Sequence, residues 1–155
     1  MKIRIWIDAD SCPVLVRDHT LKYAKNRNIP VIFVANKEIK SETGIDFEMI
    51  IVSSEKDAAD NYICENAEKS DLVITRDFLF AKKLVEKEIT CINDRGTKFT
   101  KDNIRELVSE RDFNLSLAQM GLNNHKSAGY SPKHFKKFCD CFDREMQEII
   151  WLYRP

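Results

Sequence analysis

Six aspartates stand where a fold could gather them. Asp8 and Asp10 directly follow the apolar run Ile3-Arg4-Ile5-Trp6-Ile7. Asp77 closes Leu72-Val73-Ile74-Thr75-Arg76-Asp77, and Asp94 sits in Ile92-Asn93-Asp94-Arg95-Gly96. Asp57 and Asp60 open an amphipathic stretch and point along one face of a helix. Carboxylates brought within ~5 Å of one another near a surface repel by on the order of a few kcal/mol per pair. Either protons or a cation must neutralise them. All-oxygen ligands suit hard ions, so the expected cofactor is Mg²⁺ or Mn²⁺, ligated by Asp8, Asp10, Asp57, Asp60, Asp77 and Asp94. Such a centre suits phosphodiester hydrolysis, with Asp8 and Asp77 as the catalytic pair. Arg76 and Arg95 flank the acids, placed either to grip a phosphate or to pair with neighbouring aspartates.

Each acid also has a plain structural use. Asp10 or Ser11 would cap a helix beginning at Pro13, Asp77 a helix beginning at Phe78, and Ser54 with Asp57 resembles a capping box. Asp94 fits a turn ending at Gly96.

The elements that must position these residues alternate. Ile3–Ile7, Val31–Val34, Phe47–Val52, Leu72–Thr75 and Ile89–Ile92 read as five strands. Between them lie helices over Pro13–Arg27 and Lys56–Ala67, a third striped by Phe78, Ala81, Leu84 and Val85, and a longer one from Asp102. The last buries Ile104, Leu107, Val108, Leu115 and Ala118. Alternation implies crossovers, a mainly parallel sheet and helices on both faces, an α/β fold of three layers, α/β/α. Open parallel sheets bind ligands beyond the carboxyl ends of their strands, which is where Asp8, Asp10, Asp77 and Asp94 fall.

Residues 121–132 read as a loop, and a final helix carries Phe135, Phe138, Phe142, Met146, Ile149 and Tyr153 at helical spacing. That stripe packs on the sheet or on a second subunit, so a homodimer through the C-terminal helix is one expectation. The chain of 155 residues suits one domain, with an α/β core over 1–119 and a loop and C-terminal helix over 120–155.

Lys plus Arg and Asp plus Glu both number 25, so no global charge draws the protein to a polyanion. Residues 125–144 nonetheless hold five basic side chains, Lys126, Lys133, Lys136, Lys137 and Arg144, against Asp140 and Asp143. This is either an RNA-touching patch or a solvated helix face. The five cysteines have no CxxC spacing and read as free thiols. Cys12, beside Pro13 at a helix start, is either a thiol of lowered pKa or a packing residue. His19, His125 and His134 have no ordered nucleophile partner. No apolar run nears the ~20 residues that cross a bilayer and no leader pattern opens the chain, so the expected setting is the cytoplasm, away from membranes.

The segments Trp6–Pro13, Lys56–Ile63, Val73–Asp77 and Asn93–Gly96 resemble, in that order, the YaiI/YqxD family of uncharacterised bacterial proteins. That family looks PIN-like, which implies a five-stranded sheet in order 3-2-1-4-5 and neighbouring first and fourth strands. PIN-type nucleases carry an acid after strand one, another on a following helix, and Thr-x-Asp after strand four. Asp8, Asp57 or Asp60, and Thr75 with Asp77 match those positions, and Thr75 is thereby expected at the substrate. The helix acid is usually Glu, whereas two aspartates compete for the place here.

The resulting expectation is a Mg²⁺- or Mn²⁺-dependent nuclease acting on RNA more readily than DNA. One alternative is a phosphatase of the haloacid dehalogenase type with Asp8 as nucleophile and Asp10 as general acid. The other is a non-catalytic RNA-binding or regulatory module that keeps the acidic site without turnover.

Overall fold

The computed structural model describes residues 2–122 and 129–154. Six strands form one sheet: β1 (Ile5–Asp8), β2 (Val31–Ala35), β3 (Glu48–Ile51), β4 (Leu72–Ile74), β5 (Thr90–Ile92) and β6 (Lys98–Phe99). Their order is β3-β2-β1-β4-β5-β6. The first five run parallel in the expected 3-2-1-4-5 order, while β6 returns antiparallel to β5. The sixth strand is not expected from the sequence. It arises because the Asn93–Gly96 turn folds the chain straight back: the Asn93 side-chain oxygen accepts from the Arg95 and Thr97 amides at 3.0 and 2.9 Å. Gly96 supplies the left-handed backbone, at φ +83°.

Five helices accompany the strands: α1 (Val14–Asn26), α2 (Ala58–Asn66), α3 (Phe78–Glu86), α4 (Ile104–Gln119) and α5 (Pro132–Tyr153). Alternate strand residues divide the core in two, as the period of two requires. Ile5, Ile7, Phe33, Leu72 and Ile74 pack beneath α1 and α5. Trp6, Ile32, Val34, Val73 and Cys91 pack beneath α2, α3 and α4. The layers are thus α1 and α5, then the sheet, then α2, α3 and α4.

α5 starts at a capping box in which Ser131 and His134 exchange side-chain and backbone bonds, with Pro132 in the first turn. Its stripe of Phe138, Phe142, Met146 and Ile149 is buried within the same chain, while Trp151 beyond it is 82% exposed. α4 departs from expectation. Ile104 is buried and Leu107 and Val108 are half-buried, but Leu115 and Ala118 are exposed because the helix runs past the edge of its layer. Lys133, Lys136 and Lys137 are exposed on α5, whereas His125 and Lys126 lie outside the described residues. No helix among the described residues is long and apolar enough to cross a membrane.

The amino ends of β1 and β4 are clamped together. The fully buried Asp71 carboxylate accepts from the Arg4 amide and guanidinium, the Trp6 indole and the Glu68 amide, at 2.9 to 3.4 Å. Such a charge survives burial only with this many donors.

Candidate metal centre

β1 and β4 are adjacent at the switch point of the sheet, so Asp8 and Thr75 leave neighbouring strands together. The Thr75 hydroxyl donates to Asp8 Oδ2 at 2.9 Å and accepts from the Asp77 amide at 3.1 Å. Thr75 is 2% exposed, so the residue expected at the substrate instead lies under the site and orients two of its acids.

Asp77 is both a cap and a member of the acidic group. Its Oδ1 accepts from the amides of Leu79 and Phe80 at 2.9 and 3.2 Å, which satisfies the start of α3. The second oxygen takes no backbone bond. Carboxylate oxygens of Asp57, Asp60 and Asp77 all lie within 4.8 Å of one another. α2 delivers the first two. Asp57 precedes the helix in the left-handed region at φ +64°, without a side-chain cap, and Asp60 is buried in the first turn. The expected Ser54–Asp57 capping box does not form, because the helix begins at Ala58, which makes Asp57 rather than Ser54 the residue before its first turn.

Asp8, Asp10, Asp57, Asp60 and Asp77 line one cavity of about 170 Å³. Crowding there shows in the proton affinities. Burial, then the charges of Asp8, Asp77 and Asp57, push the Asp60 carboxyl up to about 7. Burial pushes Asp8 up to about 6, with Asp10 and Asp77 adding to the rise and the Thr75 hydroxyl opposing it. A dense set of carboxylates, two of which have raised proton affinity, fits a hard divalent cation, which would replace the protons as the neutralising charge.

Asp10 caps no helix. The residue preceding α1 is Pro13, without a side-chain cap, and the Asp10 carboxylate instead accepts from the Asn36 amide at 3.0 and 3.3 Å, tying the end of β1 to the end of β2. Asp94 is not among the gathered acids. It is buried, and its Oδ2 takes Arg76 Nε and Nη2 at 2.7 and 2.6 Å. The flanking arginine is thus an ion-pair partner, although Arg76 also borders the cavity that holds Asp8 and Asp10. Arg95 is exposed in the β5–β6 turn. Cys12 is a packing residue: burial, reinforced by the charge of Asp94, pushes its thiol up to about 12.

Four further residues at the site did not emerge from the sequence. Asn36, Ser53 and Glu55 line the acidic cavity. They follow β2 and β3, so the rule that singled out Asp8 and Asp77 reaches them as well. Arg111, halfway along α4, borders two cavities beside Asp77, and no local pattern marks it.

A family model described as "Uncharacterized BCR, YaiI/YqxD family" matches residues 6–148. Similar curated proteins are named UPF0178 protein. The one from Treponema denticola is 44% identical over 148 residues, covering 96% of this chain and 94% of its own. That from Desulfotalea psychrophila is 37% identical over 147 residues, covering 95% and 99%. A third, from Treponema pallidum, is 36% identical over 150 residues, covering 97% and 85%. No solved structure matches the chain. With one family model spanning all five aspartates of the cavity, and relatives of this identity along nearly the whole length, the chain belongs to the YaiI/YqxD family.

Proposed function

We propose that this protein is a Mg²⁺- or Mn²⁺-dependent nuclease of the cytoplasm that hydrolyses phosphodiester bonds, in RNA more readily than in DNA. The observation that carries the reading is the meeting of Asp57, Asp60 and Asp77 within 4.8 Å at the end of β4, in a cavity shared with Asp8. Asp8, Asp57, Asp60 and Asp77 would hold the cation. When bound, it supplies Lewis acidity at the phosphoryl oxygen and a more acidic water. Thr75 keeps the Asp8 carboxylate aimed into the cavity, and the α3 amides keep Asp77 in place. Asp60, titrating near neutrality, holds or releases a proton at its carboxyl as the charge around it changes. The choice of RNA rests on the PIN-like resemblance.

Purified protein incubated with labelled RNAs and either metal should cleave them. Asp8→Asn or Asp77→Asn should reduce the rate on the order of a hundredfold or more, because each removes one ligand. Hydrolysis of small phosphate esters with no RNA cleavage would replace this reading by the phosphatase, with Asp8 as nucleophile. RNA binding that survives both substitutions, with no turnover in either metal, would replace it by the non-catalytic module.

A further inference from the structure

A groove of mixed charge adjoins the acidic cavity, with basic side chains from the segment before α2, from α3 and from α4. Lys56, Lys82, Lys83 and Arg111 line a cavity of about 360 Å³ together with Asp57, Asp60, Asp77 and Glu86. Among the described residues, none of these lysines comes within 4.0 Å of a carboxylate oxygen, although four acids, Asp57, Asp60, Asp77 and Glu86, line the same space. Among the described residues, Arg111 bonds only its exposed neighbour Asp112, at 3.0 Å, a surface pair worth little. Opposite charges that share a cavity without pairing remain available to something placed between them. An anionic ligand carrying its own counter-charge toward the carboxylates satisfies both sets of charge.

A second cavity, of about 480 Å³, also borders Asp77, and its lining includes Asp8, Arg76, Phe78 and Arg111. Asp77 and Arg111 belong to both cavities, so the two spaces meet over the acids. The consecutive residues Phe78 and Leu79 present an apolar surface to each in turn. Two adjoining cavities over the acids, with unpaired lysines in one and an aromatic ring in the other, have the pattern of a single-strand track: charge for the backbone, apolar surface for unpaired bases.

Resting on the nuclease reading of the adjacent acids, we propose that Lys56, Lys82, Lys83 and Arg111 seat the phosphate backbone of a single nucleic-acid strand that crosses Asp77, with bases lying toward Phe78. The substrate is then a polymer held on both sides of the linkage over the acids. A small phosphate ester would leave the lysines unused.

The test measures binding separately from turnover. The full chain carrying Asp60→Asn, with Mg²⁺ present, is titrated with a fluorescein-labelled single-stranded RNA of about 12 nucleotides, within the range of strand lengths that such grooves hold, and anisotropy is followed from low to high salt. Adding Lys82→Ala and Lys83→Ala should lower the salt slope by about 1.4, two contacts at about 0.7 each, and weaken binding at about 0.1 M salt roughly 25-fold. Lys22→Ala with Lys25→Ala, on the exposed side of α1, should leave both unchanged. In the otherwise wild-type chain the Lys82/Lys83 pair should raise KM and spare kcat. Equal loss in the two double variants, no binding by the parent, or tighter binding of duplex than of single strand overturns the groove. Cleavage with an unchanged KM in the Lys82/Lys83 variant overturns the groove and leaves the nuclease standing. Salt-dependent single-strand binding through these lysines in a wild-type chain that cleaves nothing supports the groove and removes the nuclease.

Discussion

Asp60 carries the conflict between stability and chemistry most plainly. It is 8% exposed, faces three other carboxylates, and holds a proton near neutrality that an ordinary aspartate would have lost. A residue selected for stability alone would not be an acid at that place. Asp60→Asn should therefore stabilise the metal-free protein by roughly 1 kcal/mol, seen as a rise of about 2–4 °C in Tm, while abolishing the further rise on adding Mn²⁺. A calorimetric scan with and without metal reads both effects; a fall in the metal-free Tm would show that the acid holds the local structure together. The competing uses of single residues are legible in the sequence but cannot be ranked there. Capping and clustering look like alternatives for Asp77, yet its carboxylate both accepts from the α3 amides and belongs to the acidic group. For Asp94 the sequence leaves capture by Arg76 as one of two possibilities, and only the packing of the turn against Tyr130, whose hydroxyl bonds the Asp94 carbonyl at 2.6 Å, decides it.

Among the elements, the strands and the helices between them are readable because apolar runs and stripes are local properties. The β5–β6 hairpin is not, since its second strand has two residues and the segment before it carries only the signal of a turn. The outward course of α4 is hidden for a different reason: an apolar stripe states what a helix can bury, not how far its neighbours extend. The hairpin also anchors α5. A Cβ on Gly96 would stand 2.5 Å from the Lys137 carbonyl oxygen, and its φ of +83° already disfavours any other residue. Gly96→Ala should cost on the order of 2–3 kcal/mol, combining backbone strain with displacement of α5. Urea unfolding measures the loss. Metal affinity should be nearly unchanged in the folded fraction, because the acids reside on β1, α2 and β4–α3.

For the whole molecule, proton linkage gives the metal-free protein an unusual pH profile. Asp8 and Asp60 bind protons more tightly folded than unfolded, at about 6 and about 7 against an ordinary 3.8. Their contribution to stability is fully present below the ordinary carboxylate value and is lost as pH rises through the folded values. Without metal, Tm should accordingly decline between about pH 4 and about pH 8. With Mg²⁺ or Mn²⁺ the decline should disappear at the alkaline end, where the acids are free to ligate, and persist near about pH 5, where protons occupy them. Thermal scans across that range, at constant ionic strength, check the profile; a metal-free Tm that climbs steadily up to about pH 8 would contradict the crowding of these acids.

The Asp71 clamp bears on how accurately the acids can meet. β1 and β4 are joined by Arg4 and Trp6 to Asp71 at one end and by Thr75 to Asp8 at the other. Sliding either strand by a single residue would break both ties and turn Asp8 to the opposite side of the sheet. Fastening at the two extremities leaves this pair no room to creep, so the spacing between Asp8 and Asp77 works like a fixed gauge block whose tolerance is set by a buried charge far from any substrate.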